Sequence, residues 1–252
     1  MSVLADARTA VGLLTRLPVL PRAEGADRGG LAGAVGYFPF VGLLVAGAGI
    51  GVWAVLEPIL GPLVAAVASV LATVAVTGGL HEDGLADVAD GFWGGSTPDR
   101  RLDIMRDSRI GTFGVLAVTG DLLIRVALLA PLDFAGVVRV LVAGHVIGRA
   151  APLVLSAWLP PARPEGLGAG IGKPRRSGVV LACVTVLGAA VAAAGGWAAV
   201  PLVAAGVAVA AVSWLARSRI GGYTGDALGA GVLVVNLAVA AAIAALVRAG
   251  WV

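Results

Sequence analysis

The sequence has little charge, few aromatic residues and almost no cysteine. Charged residues make up 13% and aromatic residues 5% of its 252 residues, whereas about 25% of an average soluble domain is charged. This composition excludes an ordinary soluble surface. The single cysteine, Cys183, excludes a disulfide framework and a cysteine-based metal site, and its apolar neighbours predict that it is buried. A basic stripe with interleaved aromatic residues is also absent, so nucleic acid is not an expected partner.

Long apolar runs fill most of the chain instead. Hydrophobic residues make up 59% of the sequence, and about 20 consecutive apolar residues span a bilayer as a helix. The runs are continuous, whereas the strands of a membrane barrel alternate in polarity. We therefore predict an all-α, polytopic integral membrane protein in which residues 1–252 form one membrane-embedded domain. The seven predicted spans are Leu31–Leu56, Ile59–Leu80, Phe113–Ala130, Val137–Trp158, Gly178–Ala194, Trp197–Ala216 and Ala227–Val247.

Basic residues are concentrated on one side of these spans. They cluster in the N-terminal segment and in every second loop, while the alternate loops are nearly free of them. Cytoplasmic loops carry the excess of basic residues in membrane proteins. Seven spans with a cytoplasmic N-terminus satisfy this rule, whereas six or eight spans would place a basic cluster outside.

Two pairs of residues inside the predicted spans need an explanation. Gly47 and Gly51 have the spacing that lets two helix backbones approach closely, which predicts a packing role. Asp121 and Arg125 are ionisable groups at a depth where charge is expensive. They form either an i,i+4 ion pair inside the bundle or a contact with substrate.

An acidic segment, His81–Gly91, directly follows the second predicted span. On a helix, Asp83, Asp87 and Asp90 lie at i, i+4 and i+7 and share one face. Their mutual repulsion is explained by a bound divalent cation, since hard cations prefer oxygen ligands. Magnesium takes one or two carboxylates and completes its shell with water and substrate phosphate. The segment therefore predicts an Mg²⁺ site and a phosphorylated substrate, with a solvated acidic helix end as the alternative.

Three further polar segments are predicted on the same side of the membrane. Arg106 and Arg109 suit phosphate oxygens, although the alternating charges around them also suit a surface helix laced by ion pairs. Thr224 begins the last span, where it either leaves N–H groups free for an anion or caps the helix. Asp226 is a metal ligand, a proton acceptor or a complement to the helix dipole. Lys173, the single lysine, is a phosphate contact or a cytoplasmic anchor.

Taken together, these motifs resemble the cobalamin (5′-phosphate) synthase family, whose members are also called adenosylcobinamide-GDP ribazoletransferases. The resemblance covers nearly the whole chain. Its segments are Thr15–Pro18, Phe38-Pro39, His81-x-Asp83-Gly84-Leu85-Ala86-Asp87-x-x-Asp90-Gly91, Ile104–Thr112, Glu165–Gly168, Ile171–Lys173 and Gly221–Ala230. Several motifs in the same order are much more specific than a single Asp-Gly pair.

The resemblance implies a magnesium-dependent, multi-pass enzyme of the bacterial inner membrane, with its active site facing the cytoplasm. Such an enzyme transfers adenosylcobinamide phosphate from adenosylcobinamide-GDP to α-ribazole or α-ribazole 5′-phosphate and releases GMP. For that reaction we expect Asp90, or less readily Asp226, to be the base, with His81 as an alternative base or GMP contact. The expected phosphate contacts are Arg106, Arg109 and Lys173. A homo-oligomer is compatible with the sequence.

Two other classes of membrane protein share some of these features. A CDP-alcohol lipid phosphotransferase also uses clustered aspartates at a membrane face, but its Asp-Gly-x-x-Ala-Arg continuation is absent, since Leu85-Ala86-Asp87 follows Asp83-Gly84. A transporter would place its ionisable residues near the middle of the bilayer on broken helices. Here most carboxylates are predicted at the membrane surface.

Overall fold

The computed structural model describes residues 3–18, 28–164, 171 and 174–252. Within these ranges the chain is helical, with no β-strand, which confirms the all-α prediction. Two short 3-10 helices, Val35–Tyr37 and Gly195–Trp197, lie beside the α-helices. The helices are α1 (Val3–Leu14), α2 (Arg28–Ala34), α3 (Phe38–Leu60), α4 (Pro62–Thr77), α5 (Leu80–Gly94), α6 (Pro98–Ile104), α7 (Thr112–Leu129), α8 (Phe134–Gly148), α9 (Ala151–Trp158), α10 (Arg176–Ala194), α11 (Ala199–Ile220) and α12 (Gly225–Arg248).

Six helical segments among the described residues are long and apolar enough to cross a bilayer. They are Leu31–Leu60, Thr112–Leu129, Phe134–Trp158, Arg176–Trp197, Ala199–Ile220 and Gly225–Arg248. A seventh span exists only if α4 and α5 are counted as one segment, bent by 90°. The polytopic prediction is confirmed, and most predicted boundaries lie within a few residues of the observed ones.

The bend between α4 and α5 changes the second predicted span. Gly78 and Gly79 both have positive φ angles, 66° and 71°, a backbone conformation that glycine adopts without steric cost. Two such residues in succession end α4 after Thr77, so the predicted continuous helix Ile59–Leu80 is wrong at its C-terminal end. The acidic segment therefore lies on a separate helix, α5, which packs against α7 and α12.

Helix α12 lies at the centre of the bundle and packs against α5, α8 and α11. The close approach of α8 depends on Gly144 and Gly148, where an added Cβ would lie 2.6 Å from Asn236 Oδ1 and 2.8 Å from the Val232 carbonyl oxygen. A side chain at either glycine would separate the two helices. Helix α12 also packs against α5. The acidic segment on α5 and the polar start of α12, which are far apart in the sequence, therefore lie close together.

Two packing predictions are wrong. An added Cβ at Gly47 or Gly51 would meet no described atom within 4 Å, so this pair does not bring helices of the described chain together. Cys183 is exposed on α10 rather than buried. Both errors have the same cause: in a chain whose outer surface is apolar, hydropathy does not separate the inward face of a helix from the outward one.

Candidate active site

Three aspartates form the acidic face of α5. The helix runs from Leu80 to Gly94, which confirms the predicted spacing of Asp83, Asp87 and Asp90 along one face. Acidic residues in the first turn, including Asp83, interact favourably with the positive end of the helix dipole. Asp83 is exposed, whereas Asp87 and Asp90 are half-buried. The acidic face is therefore accessible at its N-terminal end and more enclosed toward Asp90.

A fourth aspartate joins this face from α12. The backbone of α12 meets α5 at Gly84, where an added Cβ would lie 2.8 Å from the Asp226 carbonyl oxygen. Asp87 interacts electrostatically with Asp226, Asp83 and Asp90, and more weakly with Arg163. Four carboxylates therefore share one region, and their repulsion makes the region favourable for cations.

Arg163 contributes a positive charge to this region through its ion pair with Asp226. Its Nη2 lies 3.4 Å from Asp226 Oδ2, with the Arg163 side chain 15% exposed. Two backbone hydrogen bonds hold its loop: Tyr223 N–H donates to the Pro160 carbonyl (3.0 Å), and Ala162 N–H donates to the Tyr223 carbonyl (2.8 Å). Sequence reasoning missed Arg163 as a site residue, since nothing in its local sequence indicates that the loops after α9 and α11 meet.

Thr224 and Asp226 both contribute to the start of α12. Thr224 Oγ1 accepts a hydrogen bond from Ala227 N–H (3.2 Å), so it is the N-cap residue of the helix. The same hydroxyl donates to Asp226 Oδ2 (3.2 Å). The capping interpretation of Thr224 is confirmed, and its contact with an anionic substrate stays a prediction.

Asp90 fastens the end of α5 to the start of α7. Its Oδ2 accepts from Gly111 N–H (2.7 Å), and its Oδ1 accepts from Gly114 N–H (2.9 Å). Each glycine is needed for this approach, because an added Cβ would lie within 2.5 Å of Asp90 Oδ1 at Gly111. Both carboxylate oxygens are therefore engaged with the N-terminus of a helix, which suits a structural role. The predicted roles of Asp90 as base or metal ligand stay predictions.

The predicted phosphate contacts lie at the Asp90 end or outside the described chain. Arg106 and Arg109 are exposed, and Arg109 pairs with Asp107 through Nη2 and Oδ2 at 2.6 Å. Hydrogen bonding to Arg109 lowers the pKa of Asp107 to about 2. A cavity of about 300 Å³ lies here and is lined by Asp90, Asp107 and Arg109, among others. Lys173 falls outside the described residues.

A second cavity, of about 270 Å³, lies at the other end of the acidic face. Its polar lining includes Asp83, Arg163, Thr224 and Asp226, and His81 also borders it. His81 is 3% exposed, and its Nε2 has no hydrogen-bond partner among the described residues. The structure thus places His81 at the wall of the site, and its predicted role as a base stays a prediction.

A buried ionic network lies behind α5, on the side away from its acidic face. Arg125 on α7 pairs with Asp121 and, at 2.9 Å, with Glu82 on α5. The predicted pairing of Asp121 with Arg125 is confirmed, and Glu82 is the member that the sequence did not reveal. Next to this group, Arg149 Nη1 lies 3.0 Å from His145 Nδ1. Because buried charges need partners, the network fixes the position of α5 relative to α7.

The carboxylates of this region include one pair that could hold a metal ion. Within the described part of the chain, no three His, Cys, Asp or Glu side chains converge closely enough to hold a metal ion. This arrangement does not exclude magnesium, which commonly takes one or two carboxylates and fills its octahedron with water and phosphate oxygens. Asp83 and Asp87, one helical turn apart on α5, are the pair that could hold such an ion, and their role as metal ligands stays a prediction.

The family of the chain follows from its similarity to known proteins. A family model described as cobalamin-5-phosphate synthase matches residues 6–244. The chain belongs to this family. A relative from Bradyrhizobium diazoefficiens, named adenosylcobinamide-GDP ribazoletransferase, is 41% identical over 247 residues and covers 95% of both chains.

Other family members agree in name and length. A Mesorhizobium japonicum relative with the same name is 42% identical over 240 residues, covering 90% of this chain and 88% of the relative. A Ralstonia nicotianae relative, also so named, is 40% identical over 232 residues. No solved structure is significantly similar to the chain. The family assignment confirms the resemblance inferred from the motifs.

Proposed function

We propose that this protein is an adenosylcobinamide-GDP ribazoletransferase of the bacterial inner membrane. The observation that carries the proposal is full-length similarity at about 40% identity to proteins with that name. The four-carboxylate site gives the similarity a chemical basis, since carboxylates can hold the divalent cation that neutralises a diphosphate. A hydroxyl of α-ribazole, or of its 5′-phosphate, attacks the phosphorus bonded to cobinamide, and the bond to GMP breaks.

Asp83 and Asp87 hold a magnesium ion in this proposal. When bound, the ion would neutralise charge on the diphosphate oxygens and on the departing phosphate. The support is the position of both aspartates on one face of α5, with Asp83 exposed and Asp87 half-buried beside Asp226. Arg163 faces the same region and binds a phosphate oxygen, since a guanidinium group matches phosphate geometry well.

Asp226 is the better placed of the two predicted bases. Only one of its oxygens, Oδ2, has described partners, and these are Thr224 and Arg163. Asp90 has both oxygens engaged with the backbone of α7. Asp226 therefore accepts the proton of the attacking hydroxyl, while Arg163 and Thr224 hold the carboxylate in place. A proton acceptor must lie within hydrogen-bond reach of the reacting group, which the cavity between Asp83 and Asp226 allows.

The membrane orientation is also part of the proposal. Arginine-rich segments, which usually face the cytoplasm, flank the acidic face of α5: they are α6, the loop after α9 and the last turn of α11. We therefore orient the site toward the cytoplasm, with the N-terminus on the same side. The lipid phosphotransferase alternative is not favoured, since the relatives reported above share the ribazoletransferase name.

Turnover by the purified protein tests both the reaction and the metal. Wild-type protein is mixed with adenosylcobinamide-GDP and α-ribazole, and GMP and the corrinoid product are measured against added magnesium. We expect magnesium-dependent turnover that falls strongly in Asp83→Asn and Asp87→Asn. Asp99→Asn is the matched control, because Asp99 is exposed on α6 and should leave turnover unchanged.

The outcomes separate the parts of the proposal. Near-normal turnover in both Asp83→Asn and Asp87→Asn would overturn the metal assignment and leave the reaction standing. A wild-type protein that forms no corrinoid product but transfers a phosphoalcohol to lipid would instead support the lipid phosphotransferase. Flux of a corrinoid into vesicles without turnover would support a transporter.

A further inference from the structure

The larger part of the lining of the 270 Å³ cavity is apolar, and part of this apolar lining comes from helices outside the catalytic motifs. Leu13 and Leu14 belong to α1, Leu31 to α2 and Phe38 to α3. The polar lining comes from other elements: the start of α5, the loop after α9 and the start of α12. Helices α1 to α3 therefore contribute only apolar side chains to the lining, and the charged side chains come from the other elements.

This apolar region requires an explanation that the phosphate chemistry does not supply. A diphosphate, a magnesium ion and their water shell need polar partners, and apolar side chains offer none. Ligand pockets that are mostly apolar with a few polar groups hold the apolar body of a ligand and orient it through those groups. The cavity therefore suits a molecule with an apolar ring at one end and hydroxyl groups at the other.

Its volume limits the choice further. The cavity volume of about 270 Å³ lies just below the range of about 300–1,000 Å³ that is usual for small-ligand pockets. A cavity at the lower end of that range suits a bicyclic aromatic base better than a corrin macrocycle. Guanine has a suitable size, but its many donors and acceptors would be left unpaired against leucine and phenylalanine, which is unfavourable.

We propose that this cavity is the acceptor subsite, in which the benzimidazole base of ribazole lies against Leu13, Leu31 and Phe38. The inference rests on the function proposed above and identifies which part of the site binds which substrate. In this position the ribose lies beside Asp83, Thr224 and Asp226. The attacking hydroxyl is then next to the proposed base and to the proposed metal ligands.

The other end of the acidic face fits the donor. Asp83 and Asp90 are separated by seven residues, which is about 10 Å along a helix. At the Asp90 end, the lining of the 300 Å³ cavity includes the charged side chains of Arg100 and Arg109 beside Ile104 and Phe113. The guanosine of adenosylcobinamide-GDP suits that cavity, and its diphosphate then extends along the acidic face to Asp83, Asp87 and Arg163. Ribazole would then bind at the Asp83 end of the acidic face and the guanosine of the donor at the Asp90 end, and the reaction would take place between them.

Filling the apolar region tests the inference. In Leu13→Trp the larger ring occupies the place proposed for the benzimidazole base. We expect the KM for α-ribazole to rise by about tenfold or more, since losing a few apolar contacts in a pocket is worth about that factor. The KM for adenosylcobinamide-GDP should change by less than about twofold, because the donor binds elsewhere.

Two further variants make the result decisive. Leu4→Trp is the matched control, because Leu4 lies on the same helix with its side chain exposed and does not line the cavity. Leu31→Trp fills the same region from α2 and replaces the first variant if Leu13→Trp does not fold. The wild-type protein is assayed first, so that an absent reaction is attributed to the proposed function and not to the subsite.

Three results would overturn the inference while the reaction itself stands. Unchanged KM for α-ribazole in Leu13→Trp and Leu31→Trp would place the base elsewhere. An equal rise in the KM of both substrates would show that the substitution distorts the whole site. A lipid that copurifies with the protein and is displaced by Leu13→Trp, without any effect on α-ribazole, would assign the cavity to lipid.

Discussion

Asp90 was predicted as a base or metal ligand, and its contacts allow its role to be tested directly. Its two oxygens accept hydrogen bonds of 2.7 Å and 2.9 Å from Gly111 and Gly114 at the N-terminus of α7. In Asp90→Asn the new amide keeps one acceptor oxygen and loses the charge. We expect the main effect of this substitution to be on stability, because the connection between α5 and α7 is weakened.

The expected size follows from the two interactions that are lost. A hydrogen bond to a charged acceptor contributes about 1.5–3 kcal/mol, and a negative charge at a helix N-terminus contributes about 0.3–1 kcal/mol. The free energy of unfolding should therefore fall by about 2–4 kcal/mol. At about 2–4 °C for each kcal/mol in a chain of this size, the unfolding midpoint should fall by roughly 5–15 °C.

The assay is thermal unfolding of the detergent-solubilised protein, followed by circular dichroism and paired with turnover. Asp83→Asn and Asp99→Asn serve as controls. Asp83→Asn should keep the wild-type midpoint and lose turnover, and Asp99→Asn should change neither. An Asp90→Asn protein that unfolds at the wild-type temperature yet has lost its turnover would refute the structural role and restore Asp90 as a participant in the chemistry.

Three other substitutions probe the rest of the site. Arg163→Gln should raise the KM for adenosylcobinamide-GDP by about tenfold or more, since a charged phosphate contact is lost, and an unchanged KM would argue against that contact. Arg125→Met should lower the free energy of unfolding by about 3–5 kcal/mol, because it leaves buried carboxylates without a counter-charge. Adding Glu82→Gln to it should recover part of the loss, and strictly additive effects would contradict the network. Gly84→Ala should cost about 1–3 kcal/mol by forcing α5 away from α12, whereas Gly47→Ala should be neutral or stabilising, and equal behaviour of the two would contradict the close approach.

Much of the fold could be predicted because hydropathy and helical spacing are properties of short stretches of chain. Apolar runs placed the membrane helices, and the spacing of Asp83, Asp87 and Asp90 predicted their shared face on α5. The main error in the helix boundaries arose at Gly78 and Gly79. A hydropathy window averages over such a pair, whereas their positive φ angles end one helix and turn the next by 90°.

The site was only partly predictable, because its members come from distant parts of the chain. Asp226 was found through its local motif, but Arg163, 63 residues away from it, became a site residue only where two loops meet. Asp90 resembled its neighbours in sequence, and its engagement with Gly111 depends on how α7 approaches α5. Glu82 likewise gained its partner Arg125 from a helix 43 residues along the chain.

The acidic segment and its membrane setting thus followed from the order of amino acids, since a helix imposes its period on any stretch that adopts it. The different roles of the individual acidic residues in that segment did not follow from the sequence. Asp83 is exposed, Asp87 is half-buried beside Asp226, Asp90 accepts hydrogen bonds from the start of α7, and Glu82 pairs with Arg125 in the interior. These differences arise because burial and hydrogen bonding are set by the neighbouring helices, and those neighbours meet α5 only when the bundle is packed.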